Sequence, residues 1–513
     1  MNRHSLCRFL VFLFLFSSSA FGAEIHVPAD RPTIQAGIDE ASAGDVVLVA
    51  DGVYTGSGNK NLDFHGKAIT VESENGPWDC VIDCQGEGRG FIFQSGEGQD
   101  SVLAGIALVN GSAEGYPDAV NGGGIFCKSS SSPTIAYCLV VGNTAVYGGG
   151  IHCKDHSSPT ITSCIIYWNT GNREGGGIGC EQYCTPTITD CNISENYSRQ
   201  RGGGIHCFLS SPAITNCIIS HNSNSSDGGA GIYCSKSSPT ITNCTIVSNI
   251  ANWGSGGIRC WYEASPIISN CILWDNYPGE ISTGWYSEPI VTYCDIKGGY
   301  EGEGNIDEDP MFEDPDNGSF YLLPGSPCID TGDNGAVPAG ILEDIEGEPR
   351  VFDGDNNGTA TVDMGADEYV DTDWDLLPDY LEKMTCTDPL DADTDDDGLL
   401  DGEEDSNQSG DRDYWGETDP CKIDTDDDGI QDGTESGLTM ADIDDSWTNT
   451  AIFQPDLDPT TTTNPCHRDT DRDRLLDGEE DANSNGRLDA GETDPNVRDG
   501  NPRPLIGPYL LLL

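Results

Sequence analysis

Between residues 122 and 296 the chain alternates apolar and polar residues in short runs, and the pattern returns every 26 or 27 residues. The segments GGGIFC, GGGIHC, GGGIGC, GGGIHC, GAGIYC and SGGIRC end at Cys127, Cys153, Cys180, Cys207, Cys234 and Cys260. A second series, Cys138, Cys164, Cys191, Cys217, Cys244, Cys271 and Cys294, follows a proline by five residues each time. In GGGIHC, Ile151 and Cys153 share one strand face, which leaves His152 on the other. In SSPTITNCTI, Ile241 and Cys244 are three apart, so the strand must bend near Asn243 before the alternation resumes. Each repeat thus predicts three short strands and three turns. A period of this length marks a solenoid, whose stacked coils bury one Ile/Val/Cys core that no single coil could bury.

Asn143, Asn169, Asn196, Asn222, Asn249 and Asn276 recur five residues after the second cysteine. Asparagine tolerates left-handed backbone angles and bonds its own turn, so the series predicts a stacked ladder at a corner. Cysteines that recur once per coil on inward strands read as a buried apolar stack. Disulfides within a coil, such as Cys153 to Cys164, are the alternative.

From about Glu24 to Val370 the sequence resembles the right-handed parallel β-helix proteins of the pectate-lyase-like superfamily. The resemblance is carried by the opening TIQAGIDEASAGDVVLVADGVYTG, with a short capping helix from about Thr33, and by the early coils KAITVES, CVIDC, GFIFQSG and SVLAGIALVNG. The stretch DEDPMFEDPDNGSFYLLPGSPCIDTG, ending in VDMGADEY, is similar to the closing module of bacterial surface β-helix proteins. The expected fold is all-β: a right-handed parallel β-helix solenoid over 24–300, a closing module over 301–370, and an irregular repeat tail over 371–495.

The ends and the charge add to this picture. Basic Arg3 and Arg8, an apolar run from Phe9 to Phe16 and small residues up to Ala23 have the layout of a secretory signal peptide, expected over 1–23. That places the protein outside the cell or on its surface. The net charge of −63 repels nucleic acid and attracts cations. The final segment, 496–513, ends in PLIGPYLLLL, which is too short to span a bilayer, so no transmembrane segment is expected.

From Asp371 onward, 41 Asp and Glu face 9 Lys and Arg. Their spacing is regular. DTDDDGLLDGEE places Asp393, Asp395, Asp397, Asp401 and Glu404 at positions 1, 3, 5, 9 and 12 of a calcium loop, with Gly398 at 6. DTDDDGIQDGTE repeats this with Asp424, Asp426, Asp428, Asp432 and Glu435. Calcium takes six to eight hard oxygen ligands, and this spacing wraps alternate side chains around one ion. DTDRDRLLDGEE keeps Asp469, Asp471, Asp473, Asp477 and Glu480 but has Arg474 in the glycine position, which puts its turn in question. DANSNGRLDAGE is a softer version, with Asp481, Asn483, Asn485, Asp489 and Glu492. DTDWDLLPDYLE, from Asp371 to Glu382, also lacks the glycine and reads as a half-site. The connectors are too short for paired EF-hand helices, so the tail resembles thrombospondin type 3 repeats, with Cys386, Cys421 and Cys466 placed to staple it.

On the GGGIxC strands the outward positions are Phe126, His152, Gly179, His206, Tyr233 and Arg259, with no carboxylate among them. This stripe predicts an exposed surface on which flat rings stack against sugars, Phe126, His152, His206, Tyr233 and Arg259 being the candidate contacts. Its alternative is the ordinary preference of strands for aromatic residues. The leading expectation is a calcium-binding adhesion or scaffold protein with an extracellular glycan or surface protein as partner. A polysaccharide lyase or glycoside hydrolase, using outer loops that carry Arg199 and Arg201, is the second reading. A structural surface-layer or matrix element is the third.

Overall fold

The computed structural model describes residues 22–113, 120–407, 416–444 and 446–498. The expected leader and C-terminal segment lie almost wholly outside the described residues. The chain divides between Tyr369 and Val370 into two compact units.

The first unit opens with a short helix, Ile34–Glu40, capped by Thr33, whose hydroxyl accepts the Ala36 N–H at 3.3 Å. The coils then stack into three parallel sheets of eleven, nine and ten strands. Register is residue on residue. Ile125, Ile151, Ile178, Ile205, Ile232 and Ile258 lie side by side, as do Cys127, Cys153, Cys180, Cys207, Cys234 and Cys260. Both series are buried in one apolar cluster that runs from Ile25 to Ile296.

The bend expected near Asn243 is a single left-handed residue. Asn243 has φ 50°, and Ser163, Asp190, Asn216 and Asn270 occupy the same turn at 49°, 53°, 49° and 52°. The turn aims the next cysteine inward, where Cys244 Sγ donates to the Thr242 carbonyl at 3.2 Å. The stacked cysteines are thiols, and the described coils hold no disulfide. The asparagine ladder is present and buried. Its left-handed residue is the one before each asparagine, for example Trp168 at φ 56° and His221 at φ 54°. The asparagine itself turns inward.

Three strands per coil must be corrected to four in the central coils. After the ladder asparagines the chain forms Thr144–Tyr147, Thr170–Glu174, Tyr197–Ser198, Ser223–Asn224 and Ile250–Ala251, which pair in parallel as a fourth sheet. The glycine triplets permit it: a Cβ at Gly176 would lie 2.3 Å from the Gly203 carbonyl oxygen, a contact no side chain tolerates. This added strand covers the outer face of the GGGIxC sheet.

The closing module holds an antiparallel pair, Phe312–Asp314 with Ser319–Leu322, and a buried Arg350–Glu368 ion pair at 3.2 Å. The described residues of the second unit are irregular chain with four one-turn helices, Asp379–Glu382, Asp401–Glu404, Asp432–Glu435 and Asp477–Glu480. A disulfide joins Cys386 and Cys421, while Cys466 Sγ donates to the Glu417 carbonyl at 3.2 Å. No helix among the described residues is long and apolar enough to cross a membrane.

Candidate functional site

The outward stripe of the GGGIxC strands is not a surface. Phe126, His152, His206 and Tyr233 are 1%, 0%, 2% and 2% exposed. The fourth strand and its loops lie over them: the Tyr147 ring stands 6.2 Å from His152, and the Arg201 guanidinium sits 5.4 Å over Tyr233. Arg259 is half-buried, with its guanidinium 4.7 Å over the Trp261 ring. The expectation of an open aromatic face at these positions is therefore corrected.

Exposed rings occur instead two to four residues later, at the turns that follow these strands. Tyr183, Phe208, Tyr262, Trp285 and Tyr286 are exposed, and Trp261 is half-buried. Tyr262 and Trp285 stack with ring centroids 5.6 Å apart and planes 19° apart. Lys128, Lys154 and Lys236 occupy the same turns. A sequence signal was available, since Tyr183, Phe208, Trp261 and Tyr262 follow the first cysteine of their coils by one to three residues; strand parity alone did not single them out.

Beneath the fourth strand the covered histidines meet two carboxylates that parity had not placed there. Glu174 ends the strand Thr170–Glu174, and its Oε2 lies 3.8 Å from His206 Nε2. Glu181 follows Cys180, and its Oε2 lies 3.9 Å from His152 Nε2. Burial pushes both imidazoles down to about 3, with Lys154 and Arg201 respectively adding to the effect, so both rings are neutral at pH 7. Arg201 donates to Glu174 at 3.1 Å and to Asp227 at 2.9 Å. It is engaged by two carboxylates, which speaks against its acting alone toward a substrate acid.

In the second unit, the loops share one geometry. In the loop from Asp393 to Glu404, the first carboxylate accepts the N–H groups of Asp397 at 3.1 Å and Gly398 at 3.0 Å, closing the turn. The ninth-position aspartate accepts from the second-position threonine: Thr394 N to Asp401 at 2.9 Å, Thr425 N to Asp432 at 2.9 Å, Thr470 N to Asp477 at 3.0 Å. It braces the loop. The fifth-position aspartate accepts the glycine N–H of the next helical turn, Asp397 from Gly433 at 3.1 Å and Asp428 from Gly478 at 3.2 Å. Successive loops are thereby tied in a row.

The twelfth-position glutamates are the conspicuous groups. Both carboxylate oxygens of Glu404 and Glu480, and Oε2 of Glu435, are buried without a hydrogen-bond partner, and so are Asp395 Oδ2, Asp426 Oδ2 and Asp471 Oδ2. Burial, followed by the neighbouring aspartates, pushes Glu404 up to about 11 and Glu435 up to about 10. Such oxygens, crowded by like charge, are what a cation would relieve.

Arg474 does not spoil its turn. It adopts φ 86° and donates its N–H to Asp469 at 2.9 Å, as glycine does in the other loops, and Asp473 N–H reaches Asp471 at 2.9 Å. Leu376 does the same at φ 81°, so the stretch from Asp371 to Glu382 is a complete loop, with Glu382 again buried and unsatisfied. The softer loop differs. Asn483 donates to Glu492 at 3.0 Å, Asn485 donates to Asp489 at 3.1 Å, and Arg487 pairs with Asp489 at 2.7 Å. Asp481 Oδ1 is its one ligand-position oxygen among the described residues that is buried without a hydrogen-bond partner.

No curated protein sequence matches the chain. Among solved structures, pectate lyase Pel9A is similar at 14% identity and TM-score 0.42, over 68% of this chain and 97% of that one. A pectin methylesterase from Aspergillus niger is similar at 12% identity and TM-score 0.29, over 56% of this chain and 86% of its own. The model of the right handed beta helix region matches residues 46–213, 123–252 and 213–306, which together span half the sequence and coincide with the stacked coils. The chain belongs to the right-handed β-helix family.

Proposed function

We propose that this is an extracellular calcium-binding protein whose β-helix holds a polysaccharide along the ledge of exposed rings. The observation that carries the reading is the stacked pair Tyr262 and Trp285, 46% and 58% exposed on a rigid turn, with Trp261 beside it. Flat rings fixed in the open offer the apolar faces that sugar rings cover, and Lys236 and Lys128 in the same turns supply hydrogen-bond donors. Calcium serves the second unit. The unsatisfied carboxylates of Glu382, Glu404, Glu435 and Glu480, with the aspartates at the first, third and fifth positions, fit an oxygen-ligated hard cation, and binding would stabilise a segment that otherwise repels itself.

The test uses the full chain in calcium. Retention on immobilised acidic and neutral polysaccharides is measured for the wild type and for Tyr262→Ala/Trp285→Ala, together with release of reducing ends and unsaturated sugars. Retention that the double variant loses supports the reading. Retention unchanged by the substitutions, or no retention on any polymer, removes it, and cleavage would replace it with the enzyme reading.

A further inference from the structure

The histidine–glutamate cluster beneath the fourth strand is used by neither the glycan ledge nor the calcium loops. We propose that His152, Glu174, Glu181 and His206 form a site for one divalent transition-metal ion of the zinc class.

Three observations support it. Ligand atoms of Glu174, Glu181 and His206 all lie within 4.8 Å of one another, and His152 Nε2 is 3.9 Å from Glu181 Oε2. Ligands of a tetrahedral zinc ion stand about 3.3 Å apart, so Glu174, Glu181 and His206 need side-chain movements of roughly an ångström to close on a metal, and His152 joins them from the Glu181 side. Second, His152 is wholly buried and neither of its ring nitrogens has a hydrogen-bond partner. A buried imidazole normally donates from one nitrogen and accepts at, or ligates through, the other. Third, the rung between the two histidines is Gly179, where a Cβ would stand 2.6 Å from His152 Nδ1. The missing side chain is the room that the His152 ring occupies.

The donor set selects the class of ion. Imidazole nitrogens disfavour calcium, which takes oxygen, whereas two neutral imidazoles with two carboxylates suit zinc, manganese or ferrous iron. Arg201 holds Glu174 through Oε1 and leaves Oε2 toward His206, orienting the carboxylate. The side chains of Glu174 and Glu181 are 12% and 14% exposed, which gives an ion a way in. The stacked cysteines point into the core, on the opposite face of the same sheet.

The experiment uses the full chain with its calcium loops saturated by calcium, equilibrated with zinc and washed. Metal is counted by mass spectrometry, and Co²⁺ is then substituted and its visible spectrum recorded. The expected result is one retained zinc per chain, a cobalt spectrum of nitrogen and oxygen ligation without a thiolate charge-transfer band, and at least about tenfold weaker zinc binding in Glu181→Gln and His206→Gln. Calcium stoichiometry stays unchanged in both. No retained zinc, zinc binding unaltered in Glu181→Gln, or a thiolate band would overturn the proposal. If His206→Gln fails to fold, the partly exposed isostere Glu181→Gln decides.

Discussion

Asn222 commits both its backbone N–H and its side-chain amide to one atom, Oδ1 of Asn249, each at 3.0 Å, while the same amide also donates to the Ile193 carbonyl at 2.7 Å. Asn196 treats Asn222 in the same way, at 2.9 and 3.0 Å. The corner of the solenoid is thus closed by a chain of bonds in which every asparagine is donor to one neighbour and acceptor from the other. Asn222→Ala leaves the Asn196 donors buried and unmet, and a loss of about 2–5 kcal/mol is expected in denaturant unfolding. A loss below about 1 kcal/mol would mean that water substitutes for the side chain.

The ladder ends on a carboxylate. Asn276 donates its backbone N–H to Glu280 at 3.1 Å and its amide to the other oxygen of the same group. Burial pushes Glu280 up from 4.5 to about 7 despite these bonds. The folded state therefore holds the proton more tightly than the unfolded state, and this group's contribution to stability falls as pH rises from about 4.5 through about 7. Glu280→Gln removes the titration, so its stability difference from the wild type should change by on the order of 1–3 kcal/mol between pH 4.5 and pH 8. Unfolding curves of both proteins across that range measure it; parallel curves would contradict the assignment.

If calcium fills the acidic loops as proposed, they should not be equivalent. Glu404→Gln and Glu435→Gln alter carboxylates with buried unmet oxygens, whereas Glu492 already accepts from Asn483 and from the Asp489 N–H at 2.8 Å. Titration calorimetry with calcium should show the first two variants weakened by at least about tenfold at one site each, and Glu492→Gln changed little. Equal losses in all three would place the softer loop on the same footing as the others.

Because Asp397 accepts the Gly433 N–H, the loops from Asp393 and from Asp424 share a structural element. Asp397→Ala should lower calcium affinity at its own loop and also at the following one, read as two weakened sites in the same titration. Loss confined to one site would show that the loops fill independently.

The thiol stack should be chemically silent in the native state. Seventeen cysteines of the first unit are buried, and burial pushes Cys80 and Cys84 up to about 12. A thiol reagent should label them only after denaturation, at a rate that follows unfolding. Rapid labelling of the native protein would argue against the stack.

The sequence by itself determined the solenoid, because a repeat of 26 or 27 residues with Ile and Cys two apart has one way to bury its apolar side chains. It determined the bend before each second cysteine, since three-residue spacing violates strand parity, and it determined the corner ladder and the regular carboxylate spacing of the acidic loops. Tertiary structure decided what parity could not. Parity says that His152 points away from the core, but whether that direction meets solvent depends on the chain that follows each ladder asparagine, which returns as a fourth strand; after Asn143 it carries Tyr147, whose ring stands 6.2 Å from His152. The same return brings Glu174 to His206 from 32 residues earlier in the chain, a contact that repeat spacing does not encode. In the acidic loops, Arg474 and Leu376 take the left-handed turn assigned to glycine. Closing that turn gives the first aspartate of each loop its backbone N–H partners, which offset the cost of about 1–2 kcal/mol for a side chain in that conformation.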